Sequence, residues 1–234
     1  MDFSDDVADG DERDLELQIG NVAAHPEPDG NLRVLIGTTR GEIRGILHPC
    51  GTEPGAAIYV GGAMGGFEGP AHDLYGRLAD RLRPQLSGLR IHYRHAGELQ
   101  ECVLDVLAGV SFLRGIGAVG GIALVGHSFG GAVVIKAGEL SSQVAGVAAL
   151  SPQLHGTQTV DRLGKPLLLV HGMRDTVLDH AASEDIHARA VEPKRLVLYA
   201  EADHSLNQAA EDLEELLAVW LQQVVHRTPA FGMN

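Results

Sequence analysis

The rhythm of apolar positions changes near residue 31. Residues 1–30 are polar and acidic and end in His25-Pro26-Glu27-Pro28-Asp29-Gly30. Beyond them, short apolar runs alternate with stretches in which apolar residues recur every third or fourth position. Leu32–Ile36 and Glu42–Leu47, separated by Thr39-Arg40-Gly41, predict an antiparallel hairpin. Ala56–Val60, Leu89–Tyr93, Gly121–Val125, Val144–Leu150, Leu167–Val170 and Arg195–Tyr199 predict further strands. Helical spacing covers Leu74 to Leu82, Leu99 to Leu113, a stretch opening at Phe129, Ala181 to Ala190, and Leu206 to Val225. Strands so short and so apolar bury both faces. Alternating with helices, they predict an α/β fold, a mostly parallel sheet covered on both sides.

The 234 residues suit one domain, placed at 31–226, between an acidic arm at 1–30 and a tail at 227–234. The connection from Ser151 to Lys165 leaves no room for a cap domain.

Composition narrows the function classes. Apolar residues make up 44% of the chain but aromatics only 4%, so Leu, Val, Ile and Ala must build the core, and a base-stacking platform is disfavoured. The formal charge of −13 disfavours nucleic acid and anionic membrane surfaces as partners. Much of that charge sits in Asp2, Asp5, Asp6, Asp9, Asp11, Glu12, Asp14 and Glu16, opposed by Arg13 alone; a solvated arm is the expectation, an interaction tail the alternative. There is no basic-then-apolar leader and no apolar run near the ~18 residues of a membrane span, so a cytoplasmic location is expected. Cys50 and Cys102 lack metal-site or disulfide-framework spacing, and no metal or organic cofactor is expected. The sequence does not fix the oligomeric state.

The chemistry centres on Gly126-His127-Ser128-Phe129-Gly130. In a chain with 30 glycines the pentapeptide alone is weak. Its context is strong: an apolar strand before it and Ala132-Val133-Val134-Ile135 opening a helix after it. A sharp strand-to-helix turn would expose the Ser128 hydroxyl and aim the positive end of the helix at it. A serine needs a base, and the base needs an orienting carboxylate. Asp175 follows the strand Leu167–Val170, and His204 follows the strand Leu196–Tyr199, giving the order Ser, Asp, His. Asp179 is expected to cap a helix, Asp203 to point away from its neighbour, and Glu201 to be a modest alternative acid; His127 is expected to pack and hydrogen-bond rather than react. Negative charge developing on a substrate carbonyl oxygen calls for two fixed backbone N–H donors. Phe129 supplies one. The glycine-rich loop Gly61–Pro70 supplies the other, from Ala63 or Met64. That loop has neither the G-x-G-x-x-G register nor a Gly-Lys-Ser/Thr ending, which disfavours nucleotide binding. Arg94 follows a strand, and is expected to pair with Glu98 or Asp73, or else with an acidic substrate group.

On these residues the chain resembles the α/β-hydrolase superfamily over most of residues 32–225. The lidless outline is similar to small carboxylesterases and dienelactone-hydrolase-like proteins. It departs from dienelactone hydrolases, which use a cysteine nucleophile, and from relatives with His-Gly where this chain has Gly61-Gly62. The resemblance implies an eight-stranded sheet whose second strand is antiparallel. It also implies hydrolysis of a small-molecule ester through an acyl-enzyme intermediate. A thioesterase or peptidase using the same residues, and a non-catalytic binding protein on the same fold, are the alternatives.

Overall fold

The computed structural model describes residues 16–51 and 55–226. Among the described residues one sheet contains nine strands: β1 (Ile19–Pro26), β2 (Leu32–Thr38), β3 (Gly41–His48), β4 (Gly55–Val60), β5 (Leu86–His92), β6 (Ile122–His127), β7 (Val144–Leu150), β8 (Leu167–Gly172) and β9 (Lys194–Tyr199). Their spatial order is β1-β2-β3-β5-β4-β6-β7-β8-β9. The six strands from β5 to β9 in that order are parallel, and β1, β2 and β3 join antiparallel. Five α-helices among the described residues cover the faces: α1 (Pro70–Leu82), α2 (Leu99–Gly115), α3 (Phe129–Leu140), α4 (Ala181–Arg189) and α5 (Ala210–Val225).

The alternation along β4 shows why the central strands are apolar throughout. Ala57 and Tyr59 face a core built with Leu74, Tyr75 and Leu78 of α1 and Leu213, Leu217 and Leu221 of α5. Ala56, Ile58 and Val60 face the other core, with Val103 and Val106 of α2, Val133 and Val134 of α3 and Ile186 of α4. Each such aliphatic side chain removed from water contributes about 1.5–3 kcal/mol. No helix among the described residues is long and apolar enough to cross a membrane.

The strand count corrects the expectation of eight. The added strand, β1, lies within residues 1–30, assigned from the sequence to an acidic arm. It pairs with β2 from Ile19↔Thr38 to Pro26↔Leu32. β1 sits at the sheet edge and is exposed along nearly its whole length, so it carries no alternation of apolar and polar residues. Its backbone ladder holds it, and an edge tolerates Pro26. The expected antiparallel strand is β3, which becomes third in the chain once β1 precedes it. The remainder of the proposed arm, residues 1–15, and the proposed tail, 227–234, lie outside the described residues. α5 also begins later than Leu206, because Leu206 takes a left-handed conformation and Asn207–Ala209 form a single 3-10 turn.

Arg94 pairs with neither Glu98 nor Asp73. Only 3% of its side chain is exposed, and it donates to Asp105 and Glu101 of α2 and to the Arg40 carbonyl. Every nitrogen of its fork is engaged in joining the β2–β3 turn to α2, and the buried group does not face a substrate. The parallel strands bring their carboxyl ends to one edge, where the loops after β4, β6, β7, β8 and β9 meet.

Candidate active site

Ser128 stands between β6 and α3 at φ 58°, ψ −120°. Residues other than glycine rarely adopt this region, and holding one there costs about 1–3 kcal/mol. The turn is pinned by Ser128 N–H to the Leu150 carbonyl (2.8 Å) and Gly131 N–H to the Ser128 carbonyl (2.9 Å). A Cβ on Gly126 would lie 2.1 Å from the Gly130 oxygen, and one on Gly130 would lie 2.2 Å from the Gly61 oxygen. The first glycine is therefore required by the turn itself. The second is required by the close approach of the loop after β4.

His204, in the loop after β9, reaches both partners. Its Nε2 lies 3.0 Å from Ser128 Oγ and its Nδ1 2.7 Å from Asp175 Oδ2. A carboxylate can only accept, so Nδ1 carries the proton and the bare Nε2 faces the hydroxyl. Asp175 has a fully buried side chain. Its Oδ1 accepts the Val177 and Leu178 N–H groups, each at 2.8 Å. Burial pushes the Asp175 carboxyl up. The Leu178 N–H, the His204 ring and the Val177 N–H outweigh it, so the group lies below the ordinary carboxylate range and is charged.

The neighbouring candidates separate cleanly. His127 donates Nε2–H to the His204 carbonyl at 2.9 Å, and its ring lies against that of His204 with centroids 4.8 Å apart. Burial lowers its pKa to about 4, so it is a neutral support under the histidine loop. Asp203 turns away, accepting from the Ser205 N–H and from Gln208. Glu201 is exposed and pairs with Arg174. Asp179 accepts the Ala181 N–H at 2.9 Å, at the start of α4. Asp179→Ala should therefore cost about 1 kcal/mol in urea unfolding and leave hydrolytic turnover within twofold; a large loss of turnover would favour Asp179 over Asp175 as the partner of His204. His171, only a strand-end histidine in the sequence, lies against Asp175. Its Nε2 is 3.0 Å from Asp175 Oδ2 and its Nδ1 2.7 Å from Ser183 Oγ. Ser183 carried no sequence signal. The signal available for His171 was its place four residues before Asp175, across a strand end.

The loop after β4 closes as a tight turn, with Gly65 N–H to the Gly62 carbonyl at 2.9 Å. Ala63 and Met64 form its tip, and Met64 is 90% exposed. Gly62 lies beside Ser128: a Cβ there would be 3.6 Å from Ser128 Cβ. Two buried tyrosines hold the loop's stem, Tyr75 through the Val60 carbonyl (3.0 Å) and Tyr93 through the Gly61 carbonyl (3.4 Å). Phe129 is the first residue of α3, so its N–H has no acceptor within the helix, and its ring packs edge-on against Tyr93. Beyond the loop, the first residues of α1 make an unusual turn. Ala71, His72 and Asp73 take φ of 53°, 57° and 59°, one left-handed helical turn, before α1 winds the normal way. That conformation costs about 1–2 kcal/mol per residue. It is held by Ala71 N–H to the Ser205 carbonyl (2.8 Å), by Arg77 on the Ala71 and His72 carbonyls, and by the pairing of Arg77 with Glu214 of α5 (3.0 Å).

The family model described as the dienelactone hydrolase family matches residues 61–223, the span from the loop after β4 to the end of α5. The chain belongs to the dienelactone hydrolase family. It is thus a hydrolase, and its fold is the α/β-hydrolase fold. Among solved structures it is similar to the dienelactone hydrolase from Anabaena variabilis, with a TM-score of 0.73 at 16% identity over 84% of this chain and 98% of that one. It is also similar to Est1E from Butyrivibrio proteoclasticus, with a TM-score of 0.71 at 17% identity over 89% of this chain and 100% of that one. A serine hydrolase without a lid from Xanthomonas campestris gives 0.71 at 17% identity over 88% and 100%. No curated protein matches the chain.

Proposed function

We propose that this hydrolase cleaves a small, uncharged ester through an acyl-enzyme intermediate. The observation carrying the reading is the position of His204, 3.0 Å from Ser128 Oγ and 2.7 Å from Asp175 Oδ2. In this mechanism Ser128 Oγ attacks the ester carbonyl as His204 Nε2 takes its proton, and Asp175 stabilises the imidazolium. The oxyanion meets the Phe129 N–H and an N–H from Ala63 or Met64. Collapse expels the alcohol, which takes the proton from His204. Water then attacks the acyl-enzyme with His204 again as base, releasing the acid and restoring Ser128.

The loops around Ser128 support an uncharged substrate with an apolar acyl group. Met64 after β4, Leu154 after β7, and Met173 and Val177 after β8 are all exposed apolar side chains at the carboxyl edge of the sheet. The charges there are mostly negative: Glu68, Asp179, Glu201 and Asp203, with Arg174 held by Glu201. An anionic acyl group would be repelled.

The test is a fluorophosphonate probe, followed by p-nitrophenyl esters from acetate to octanoate and a succinyl half-ester. Labelling of the wild type, turnover of the neutral esters and at least about tenfold poorer kcat/KM for the half-ester are expected. Folded wild type that neither labels nor turns over any ester overturns the reading. A half-ester equal to its neutral counterpart overturns the substrate class alone.

A further inference from the structure

We propose that His171 is a positioning residue for the proton relay: a neutral ring that donates to Asp175 and is itself locked by Ser183. The proposal rests on the functional reading of Ser128, His204 and Asp175 given above.

Its basis is proton bookkeeping at a buried ring. His171 Nε2 lies 3.0 Å from Asp175 Oδ2 and 3.0 Å from the Leu178 carbonyl oxygen. Both oxygens can only accept, so Nε2 must carry a hydrogen. On the neutral ring Nδ1 is then bare, and the Ser183 hydroxyl, 2.7 Å away, donates to it. Both His171 and Ser183 are fully buried. Burial holds the His171 pKa below the ordinary range, which keeps the ring neutral.

The consequence falls on the acid. Backbone N–H groups of Val177 and Leu178 fix Oδ1 of Asp175, but Oδ2 is the oxygen that faces His204. His171 is the second donor on that oxygen. Without it the one donor left on Oδ2 is His204 itself, so nothing holds that oxygen independently of the ring it must orient. A cationic donor here would also fix Oδ2, but it would weaken the attraction between Asp175 and the imidazolium. A neutral histidine fixes the geometry and leaves the full carboxylate charge for His204. Three titratable rings surround Asp175: His171 from β8, His204 from the loop after β9 and, behind His204, His127 at the end of β6. Through Ser183 the arrangement extends to the first turn of α4, so that helix is docked on the relay.

His171→Leu, His171→Gln and Ser183→Ala test this in the full chain. The readouts are kcat, KM, the pH profile of kcat/KM, and the low-field proton resonance of His204 Nδ1–H. The leucine variant should lose about 10- to 100-fold in kcat, as expected for a misplaced relay group. Its KM should stay within twofold, its pH profile should be displaced, and its low-field resonance should move or broaden. A glutamine amide can present an N–H near the position of Nε2 and should recover kcat to within about threefold of wild type, with the resonance restored. Ser183→Ala should fall between the two. A folded leucine variant with wild-type kcat, pH profile and resonance overturns the proposal, as does a glutamine variant no better than leucine. If the wild type neither labels nor hydrolyses any ester, the functional reading fails, and the resonance alone then decides the role of His171. Displacement in the leucine variant with recovery in the glutamine variant supports it, and an unmoved resonance overturns it.

Discussion

Ser128→Gly should yield a protein that is both inactive and harder to unfold. Loss of the hydroxyl removes the proposed nucleophile, and kcat should fall about 10⁶-fold, with no residual fluorophosphonate labelling. The serine is also held at φ 58°, ψ −120°, where a Cβ crowds its own backbone and glycine does not. Relief of about 1–3 kcal/mol of strain exceeds the roughly 0.5–1 kcal/mol that glycine adds to the unfolded chain's entropy. A rise in Tm of about 2–6 °C is expected for a protein of this size. Ser128→Ala is the control: equally inactive, because it also lacks the hydroxyl, but without the gain, because alanine keeps its Cβ. A glycine variant that melted below the alanine variant would show that the turn is unstrained, since only the entropic cost of glycine would then remain. Residual labelling in either would place the nucleophile elsewhere.

The second large effect belongs to Asp175→Asn. The Val177 and Leu178 N–H groups need an acceptor, so they will fix the asparagine oxygen where Oδ1 now lies. Its NH₂ then faces both His204 Nδ1 and His171 Nε2. His204 must accept at Nδ1, which moves its proton to Nε2, where it points at Ser128 and cannot act as base. His171 Nε2 would have to give up its hydrogen while facing the Leu178 carbonyl, an added repulsion. A fall in kcat of about 10⁴-fold is expected, with a folded protein and KM little changed. Turnover near wild type would transfer the role to Glu201 or Asp179.

Asp175 also makes stability depend on pH. Its folded carboxyl lies below the ordinary value of 3.8, so its stabilising effect is fully present above that value and is lost as the pH falls through the folded value. The gap in urea stability between wild type and Asp175→Asn should be constant near neutrality and close under acid. A gap that widened in acid would mean that burial outweighs the hydrogen bonds.

Much of this site could be inferred from residue order because sterics and topology leave few choices. Glycines beside Ser128 reflect room that the turn does not have, and parallel strands force Asp175 and His204 to one edge once their strands are recognised. The missed features are those that leave no periodic trace. β1 is exposed along nearly all of its length, so burial imposed no alternation on Ile19–Pro26. The left-handed turn at Ala71–Asp73 follows Pro70, an ordinary helix opening, and its handedness is imposed by Ser205 and Arg77 from elsewhere in the chain. Arg94 lies equally near several carboxylates in sequence, and only the packing of α2 selects Glu101 and Asp105. His171 resembles any core histidine until the loop after β8 folds back upon it.

That left-handed turn binds the durability of catalysis to the last helix. Its carbonyls are held by Arg77, Arg77 is held by Glu214 of α5, and Ala71 in turn holds the Ser205 backbone beside His204. Fraying of α5 frees Arg77, and three residues held in the costly hand can then relax. The Ser205 carbonyl loses its donor as they do, and the histidine loop drifts from Ser128. Heat inactivation of this hydrolase should therefore run ahead of the melting of its sheet, with α5 as the element whose lifetime sets the working life of the enzyme.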